Sequence, residues 1–283
     1  MSSFWVDALF LATAALYLGA SILFILFLMG RQHASDPSAP ENEVRPLAPR
    51  LMALAAVLHG VHIVVFSLAL HICPVEGIHF PLSVVAMLMG LAYIAMRRRY
   101  RIDAVGAFVA PLALATLLAS RFVGGGALAP STRMKSAVLP FHVTMNLLGV
   151  ALFSLASASA ILYLVQERRL KQKRLHGVFQ RLPPLDALDR AEHRFLLAGF
   201  PLLTLGILSG TLWAVRLDAD TVADLVRAGF GYGTWILFAG VLLLRAALGW
   251  RGRRAAYGTL AGFGFAMVVL LLYLLRGNTG TVS

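Results

Sequence analysis

Cysteine is nearly missing from these 283 residues, where Cys73 is the single thiol. One thiol excludes a disulfide framework, a CxxC redox pair and a CxxCH haem-attachment site on this chain. Charge is scarce as well. Asp, Glu, Lys and Arg make up 13% of the residues, where a soluble domain carries about 25%. So few charges cannot cover a water-facing surface, so a soluble enzyme, a coiled coil and a disordered tail are excluded. Several chemical signatures are absent too. There is no Walker A loop, no GxGxxG between strand and helix, no HExxH and no pair of carboxylates within one apolar run. No acidic residue is expected deep in spans two to eight, which argues against a proton- or cation-coupled transporter. No catalytic residue is assigned.

What the chain has is apolar length. Hydrophobic residues reach 59% and the mean hydropathy is +0.78. A membrane helix needs about 20 mostly apolar residues. Eight stretches qualify, at roughly 4–29, 51–72, 78–96, 103–121, 138–165, 195–215, 229–248 and 255–275. The fold class expected is therefore all-α: a polytopic integral membrane helical bundle with eight transmembrane helices. Residues 1–283 form a single membrane domain, with no separate soluble domain. The first stretch lacks a basic leader and carries Asp7, so it is expected to stay as a span.

The excess of basic residues sets the orientation. Formal net charge is +12 and the pI is near 10.8. In a soluble chain such values would hint at nucleic acid; in a membrane chain they mark cytoplasmic loops. With the N-terminus outside, the connections 30–50, 97–102, 166–194 and 245–254 hold 19 of the 25 Lys and Arg. Both termini are therefore expected outside, with 30–50 and 166–194 as cytoplasmic loops. The runs Arg97-Arg98-Arg99-Tyr100-Arg101 and Arg168-Arg169-Leu170-Lys171-Gln172-Lys173-Arg174 are topology anchors, and no nucleic-acid partner is expected. The loop 34–50, with Pro37, Pro40, Pro46 and Pro49, is expected to be an extended connector. Leu182-Pro183-Pro184-Leu185-Asp186 ends one helix extension and is placed to cap a short amphipathic helix into span six. Gly206-xxx-Gly210 and Gly258-xxx-Gly262 allow close helix approach.

Histidine is where chemistry is left. His33, His176 and His193 fall in inner loops or at the inner mouth of span six. His59 and His62 lie near the middle of span two, three residues apart and so on one helical face. His71 and His79 bracket the short outer turn between spans two and three, and His142 follows Pro140 at the outer end of span five. Imidazole is a common axial ligand of haem iron. Two helices that each present one histidine could hold a porphyrin between them; helix-to-helix hydrogen bonding without a cofactor is the alternative.

Four passages resemble the cytochrome c assembly protein family, whose haem-handling members include CcsA, CcmC and HemX, together with the related YpjD inner-membrane proteins. They are His79-Phe80-Pro81-Leu82-Ser83; His142-Val143-Thr144-Met145-Asn146 and on to Leu152; Phe200-Pro201-Leu202-Leu203-Thr204-Leu205-Gly206 and on to Ala214; and Gly249-Trp250-Arg251-Gly252-Arg253-Arg254-Ala255-Ala256-Tyr257. The resemblance covers about residues 50–275. It implies a bacterial inner-membrane protein that binds or passes haem for cytochrome c biogenesis, with the lipid bilayer, other assembly proteins or an apocytochrome as partners. His142 matches the family's ligand helix, and His62 or His59 matches a span-two histidine of similar chains. The haem-axial candidates are thus His142, His62, His79, His59 and His71, and the expected metal is haem iron alone. His62 is set nine residues below His71, or ~14 Å at 1.5 Å per residue, so one iron is not expected to take both His142 and His62.

The chain also departs from the family. Its tryptophan-rich stretch would fall at about 214–230, where this sequence has no tryptophan. Leu243 stands where lyase members carry a histidine, and the histidine near the end of the last span is missing. The resemblance thus implies the HemX and YpjD branch, with no haem lyase activity of its own. A scaffold or regulator of haem synthesis or transport, or a subunit of a haem lyase, is the alternative.

Overall fold

The computed structural model describes residues 2–29, 44–70, 79–100, 103–122, 138–173, 183–215 and 222–279. All regular structure among these residues is helical. The helices are α1 (Ser2–Met29), α2 (Val44–Leu70), α3 (His79–Tyr100), α4 (Asp103–Phe122), α5 (Val138–Lys171), α6 (Leu185–Val215), α7 (Val222–Leu248) and α8 (Arg253–Thr279). Helices are what lipid allows, because each backbone N–H and C=O must be satisfied within its own segment. Six of the eight are long and apolar enough to cross a membrane, and α3 and α4 contain shorter apolar stretches, Leu82–Arg97 and Val105–Arg121. Hydroxyls inside these helices bond back to carbonyls one turn earlier, as in Thr13 to Leu9, Ser21 to Tyr17 and Ser154 to Val150.

The helices form two groups of four. In the first, α1 and α3 each pack against α2 and α4; in the second, α5 and α7 each pack against α6 and α8. The groups meet where α3 and α4 lie on α5. The central position of α5 follows from its sequence. Ala151, Ser154, Ala156, Ser157, Ala158, Ser159 and Ala160 are all buried, and small side chains let helices approach closely without a hydrophobic driving force. Its apolar window is 61% buried, against 33% or less in the other five long spans. Phe153 of α5 stacks on Phe238 of α7 with ring centroids 4.1 Å apart.

Polar contacts show which helix ends lie together. Arg121 at the end of α4 bonds Asp7 at the start of α1, at 2.6 Å. On the second group, Asp189 near the start of α6 takes both Nη1, at 3.0 Å, and Nη2 of Arg245 from the end of α7. The same carboxylate accepts the N–H of Gly252, just before α8, at 2.8 Å. Gly252 has φ of 64°, a left-handed value that favours glycine, and a side chain there would also strike Tyr163 of α5.

Helix limits differ from the sequence-based expectation in three places. Pro46 and Pro49, expected in an extended connector, lie in α2; Pro46 is in the first turn, where a missing N–H is tolerated, whereas Pro49 is inside the helix and removes the bond back to the carbonyl of residue 45. The 166–194 connection is shorter, because α5 continues to Lys171 and α6 begins at Leu185. The amphipathic piece before span six is not a separate helix. It starts straight after Pro184, whose carbonyl accepts from Ala187 and Leu188, and runs unbroken into the span.

Candidate functional site

His142 sits in the first turns of α5, facing α6. Its Nδ1 lies 2.6 Å from the carbonyl oxygen of Gly206. A carbonyl only accepts, so Nδ1 carries the proton and Nε2 keeps its lone pair. The ring fits because of glycine on α6. A Cβ on Gly210 would overlap His142, and one on Gly206 would come within 2.6 Å of the Asn146 amide. Asn146, one turn on, donates from Nδ2 to the His142 carbonyl at 2.8 Å and stands 3.4 Å from Nε2. Backbone bonding of one imidazole nitrogen is the arrangement that orients a metal-ligating histidine; here the other nitrogen meets only the long 3.4 Å contact from the Asn146 amide.

The first group holds the span-two histidines. His59 is fully buried and both ring nitrogens are engaged. Nδ1 meets the Tyr17 hydroxyl of α1 at 3.3 Å and Nε2 meets Ser83 Oγ of α3 at 2.8 Å. That ties three helices and uses up the imidazole. His62 is different: its side chain is buried and Nδ1 has no hydrogen-bond partner. Phe10 and Phe66 flank it at centroid distances of 5.8 and 6.0 Å. Above Phe10 lies the Arg121 guanidinium, 5.6 Å from the ring centroid. His62 is therefore one aromatic ring away from the Asp7–Arg121 pair, close to the start of α1. The physical reason is the α1–α2 packing, which lays the first turns of α1 beside the last third of α2.

His71 lies outside the described residues. His79 begins α3, and its side chain lies outside what is described. His142 and His62 belong to different helix groups, and no group of three or more His, Cys, Asp or Glu able to hold a metal ion occurs among the described residues.

Comparison with known proteins bears on the same helices. The family described as Cytochrome C assembly protein matches residues 72–279. The chain belongs to the cytochrome c assembly protein family. A Guillardia theta protein named Cytochrome c biogenesis protein CcsA is 30% identical over 228 residues, covering 71% of this chain and 74% of that one. A Heterosigma akashiwo protein of the same name is 29% identical over 232 residues, 69% of this chain and 71% of its own. A Synechococcus elongatus namesake is 35% identical over a shorter stretch of 102 residues, 36% and 31%. This family member is thus a multi-span membrane protein. Of the five candidate histidines, His79 and His142 fall inside the matched residues, and His59, His62 and His71 precede them.

Sequence reasoning missed one polar cluster. Glu192 of α6 is fully buried, accepts from Thr259 of α8 at 2.6 Å through Oε1 and has no partner for Oε2. It lies one turn inside Asp189, which anchors α7 and α8. Both acids fall before residue 195, where hydropathy places the start of the span. The signal that could have revealed them is the i, i+3 spacing of Asp189 and Glu192 with the apolar Leu188, Ala191 and Phe195, which puts all five on one buried face.

Proposed function

We propose that this protein handles haem during cytochrome c biogenesis in the bacterial plasma membrane, with His142 as an axial ligand of the cargo iron. The carrying observation is the Nδ1 bond to the Gly206 carbonyl, which fixes the tautomer that keeps the lone pair on Nε2, where the Asn146 amide at 3.4 Å is the one contact an iron would have to displace. Haem is cargo here: it supplies the iron that takes imidazole nitrogen. The protein's own part is to bind, orient and release it. His142 would hold the iron, Asn146 and Gly206 orient the ring, and Gly210 keeps space beside it. His62, with its unpartnered Nδ1 between two phenylalanine rings, is the second candidate; His59 ranks lower because both of its nitrogens are occupied. His79 and His71 are candidates for the second axial position beside His142. The relatives' name supports the pathway, and the tryptophan-free 214–230 stretch supports a haem-passing role of the HemX and YpjD kind without lyase chemistry.

Eight crossings with both termini outside are part of this proposal. Support comes from the helix ends that meet. The start of α1 joins the end of α4, and the start of α6 joins the end of α7 and the turn before α8, as in a chain that crosses at every helix. The α3 and α4 helices, 22 and 20 residues long, reach about 30 Å.

The test is the absorption spectrum of full-length protein purified from haem-replete cells. Wild type should show a Soret band, and His142→Ala should lose it at normal yield. An unchanged band in His142→Ala refutes the ligand. A second function is favoured by the same contact: the His142–Gly206 bond also glues α5 to α6 with no cofactor. A wild type without any Soret band would establish that scaffold role instead. Cytochrome c maturation by this chain as sole assembly protein would show lyase activity.

A further inference from the structure

The structure assigns an anionic-phospholipid site to the turn between α7 and α8. Its chemistry is recognition of a lipid phosphate by arginines held on aromatic rings. The turn is placed at a membrane surface by its neighbours, since one apolar span ends at Leu248 and the next begins at Arg253. Within it, Arg251, Arg253 and Arg254 are exposed. The Arg254 guanidinium lies over the Trp250 ring at 5.9 Å, and that of Arg253 over Tyr257 at 5.4 Å. Tryptophan and tyrosine favour the headgroup level. Stacking holds a guanidinium plane while leaving N–H donors for a phosphate.

Two further observations make this more than a charged loop. The backbone is fixed: Gly249 and Gly252 are both left-handed with φ of 64°, the Gly252 N–H is held by buried Asp189, and the Trp250 N–H reaches the Leu244 carbonyl. The local acids are also already engaged. Asp186 pairs with Arg190, Glu167 with Lys171 and Asp189 with Arg245. Arg251, Arg253 and Arg254 have no carboxylate within salt-bridge distance among the described residues; the acid that acts on Arg253 is Glu167, itself paired with Lys171. A preformed cluster of unneutralised guanidinia at headgroup depth calls for an anion that the bilayer itself supplies. This inference is independent of haem binding.

The experiment is native mass spectrometry of the full chain in detergent, titrated separately with phosphatidylglycerol, cardiolipin and phosphatidylcholine. Wild type should retain the two anionic lipids and not phosphatidylcholine. Each basic residue beside an anionic headgroup contributes about fivefold, so Arg251→Gln/Arg253→Gln/Arg254→Gln should weaken retention on the order of a hundredfold. Lys171→Gln/Arg190→Gln, which removes cations already paired with acids, should leave it within about twofold. All three substituted arginines are exposed, and an unchanged melting temperature in detergent will show that the triple variant is folded. Equal retention of all three lipids, an unaffected triple variant, or displacement of the lipid by millimolar inorganic phosphate would each overturn the assignment, the last by identifying a soluble anion as the ligand.

Discussion

Two ion pairs in this protein have similar chemistry and opposite surroundings, and their removal should differ greatly. Asp189 and Arg245 have side chains only 9% and 7% exposed, whereas Asp7 and Arg121 are each 50% exposed. Asp189→Ala strands the Arg245 guanidinium in the bundle with one of its hydrogen bonds left, from Nη2 to the residue-189 carbonyl at 3.2 Å, and with Glu192 as the acid that still acts on it. It also removes the acceptor of the Gly252 N–H. Breaking one side of a buried pair costs about 3–5 kcal/mol, and an orphaned amide adds about 1–3 kcal/mol, part of which overlaps. Asp7→Ala should cost ~0.2–1 kcal/mol. At roughly 2–4 °C per kcal/mol, Asp189→Ala should melt at least about 6 °C below wild type, and Asp7→Ala no more than about 4 °C below. Scans in one detergent at one heating rate are needed, because membrane proteins commonly unfold irreversibly. Asp189→Asn keeps an acceptor for Gly252 and should fall between. The sharper control is the double replacement Asp189→Leu/Arg245→Met. With both charges gone no ion is stranded and only the Gly252 N–H loses its acceptor, as it does in Asp189→Ala, so the double variant should be more stable than Asp189→Ala. Equal melting shifts for Asp189→Ala and Asp7→Ala, or a double variant less stable than the single one, would refute the reasoning.

Gly210→Val should displace the His142 ring and cost about 1–3 kcal/mol by overpacking, while Gly240→Ala, with nothing within 4 Å of its added carbon, should melt like wild type. Trp235→Phe removes the 3.0 Å bond to Thr204 and should lower stability by about 0.5–1.5 kcal/mol, read from the same scans. His59→Phe leaves Tyr17 and Ser83 without their shared partner; it should lower the melting temperature and leave the Soret band in place. Reporter fusions after residues 98, 172 and 252 should report the cytoplasm and one after residue 220 the outside; one clear inversion would overturn the orientation.

The helical, membrane-spanning character was legible from composition, because apolar length and the cost of unsatisfied backbone in lipid leave few alternatives. The glycine pairs were legible as well. Gly258 and Gly262 take Val241 and Phe238 of α7 against the α8 backbone. Helix ends were read less well. Hydropathy places the start of span six at 195, because Asp186, Asp189, Arg190, Glu192 and Arg194 are penalised as though exposed. Asp186 and Arg190 are indeed exposed, but Asp189, neutralised by Arg245, and Glu192, met by Thr259, pack inside the bundle. No local average can register partners that lie more than 50 residues away.

The site was legible in its residues and not in its partners. His142 was found from its place in a helix, yet what makes it chemically distinct is the carbonyl of Gly206, and a backbone carbonyl carries no letter in a sequence. The Gly206-xxx-Gly210 spacing signals packing, and packing is how it acts: without those two glycines neither Asn146 nor the imidazole would fit against α6. The span-two pair shows the same limit from the other side. His59 and His62 share one helical face, so periodicity treats them alike. Their neighbours separate them: Tyr17 and Ser83 engage both nitrogens of His59, whereas His62 bonds the backbone of Val6 and, flanked by Phe10 and Phe66, keeps its Nδ1 without a partner. A lone pair left bare in that position is costly unless something binds it. Of the two histidines, His62 is therefore the one whose chemistry the fold leaves incomplete.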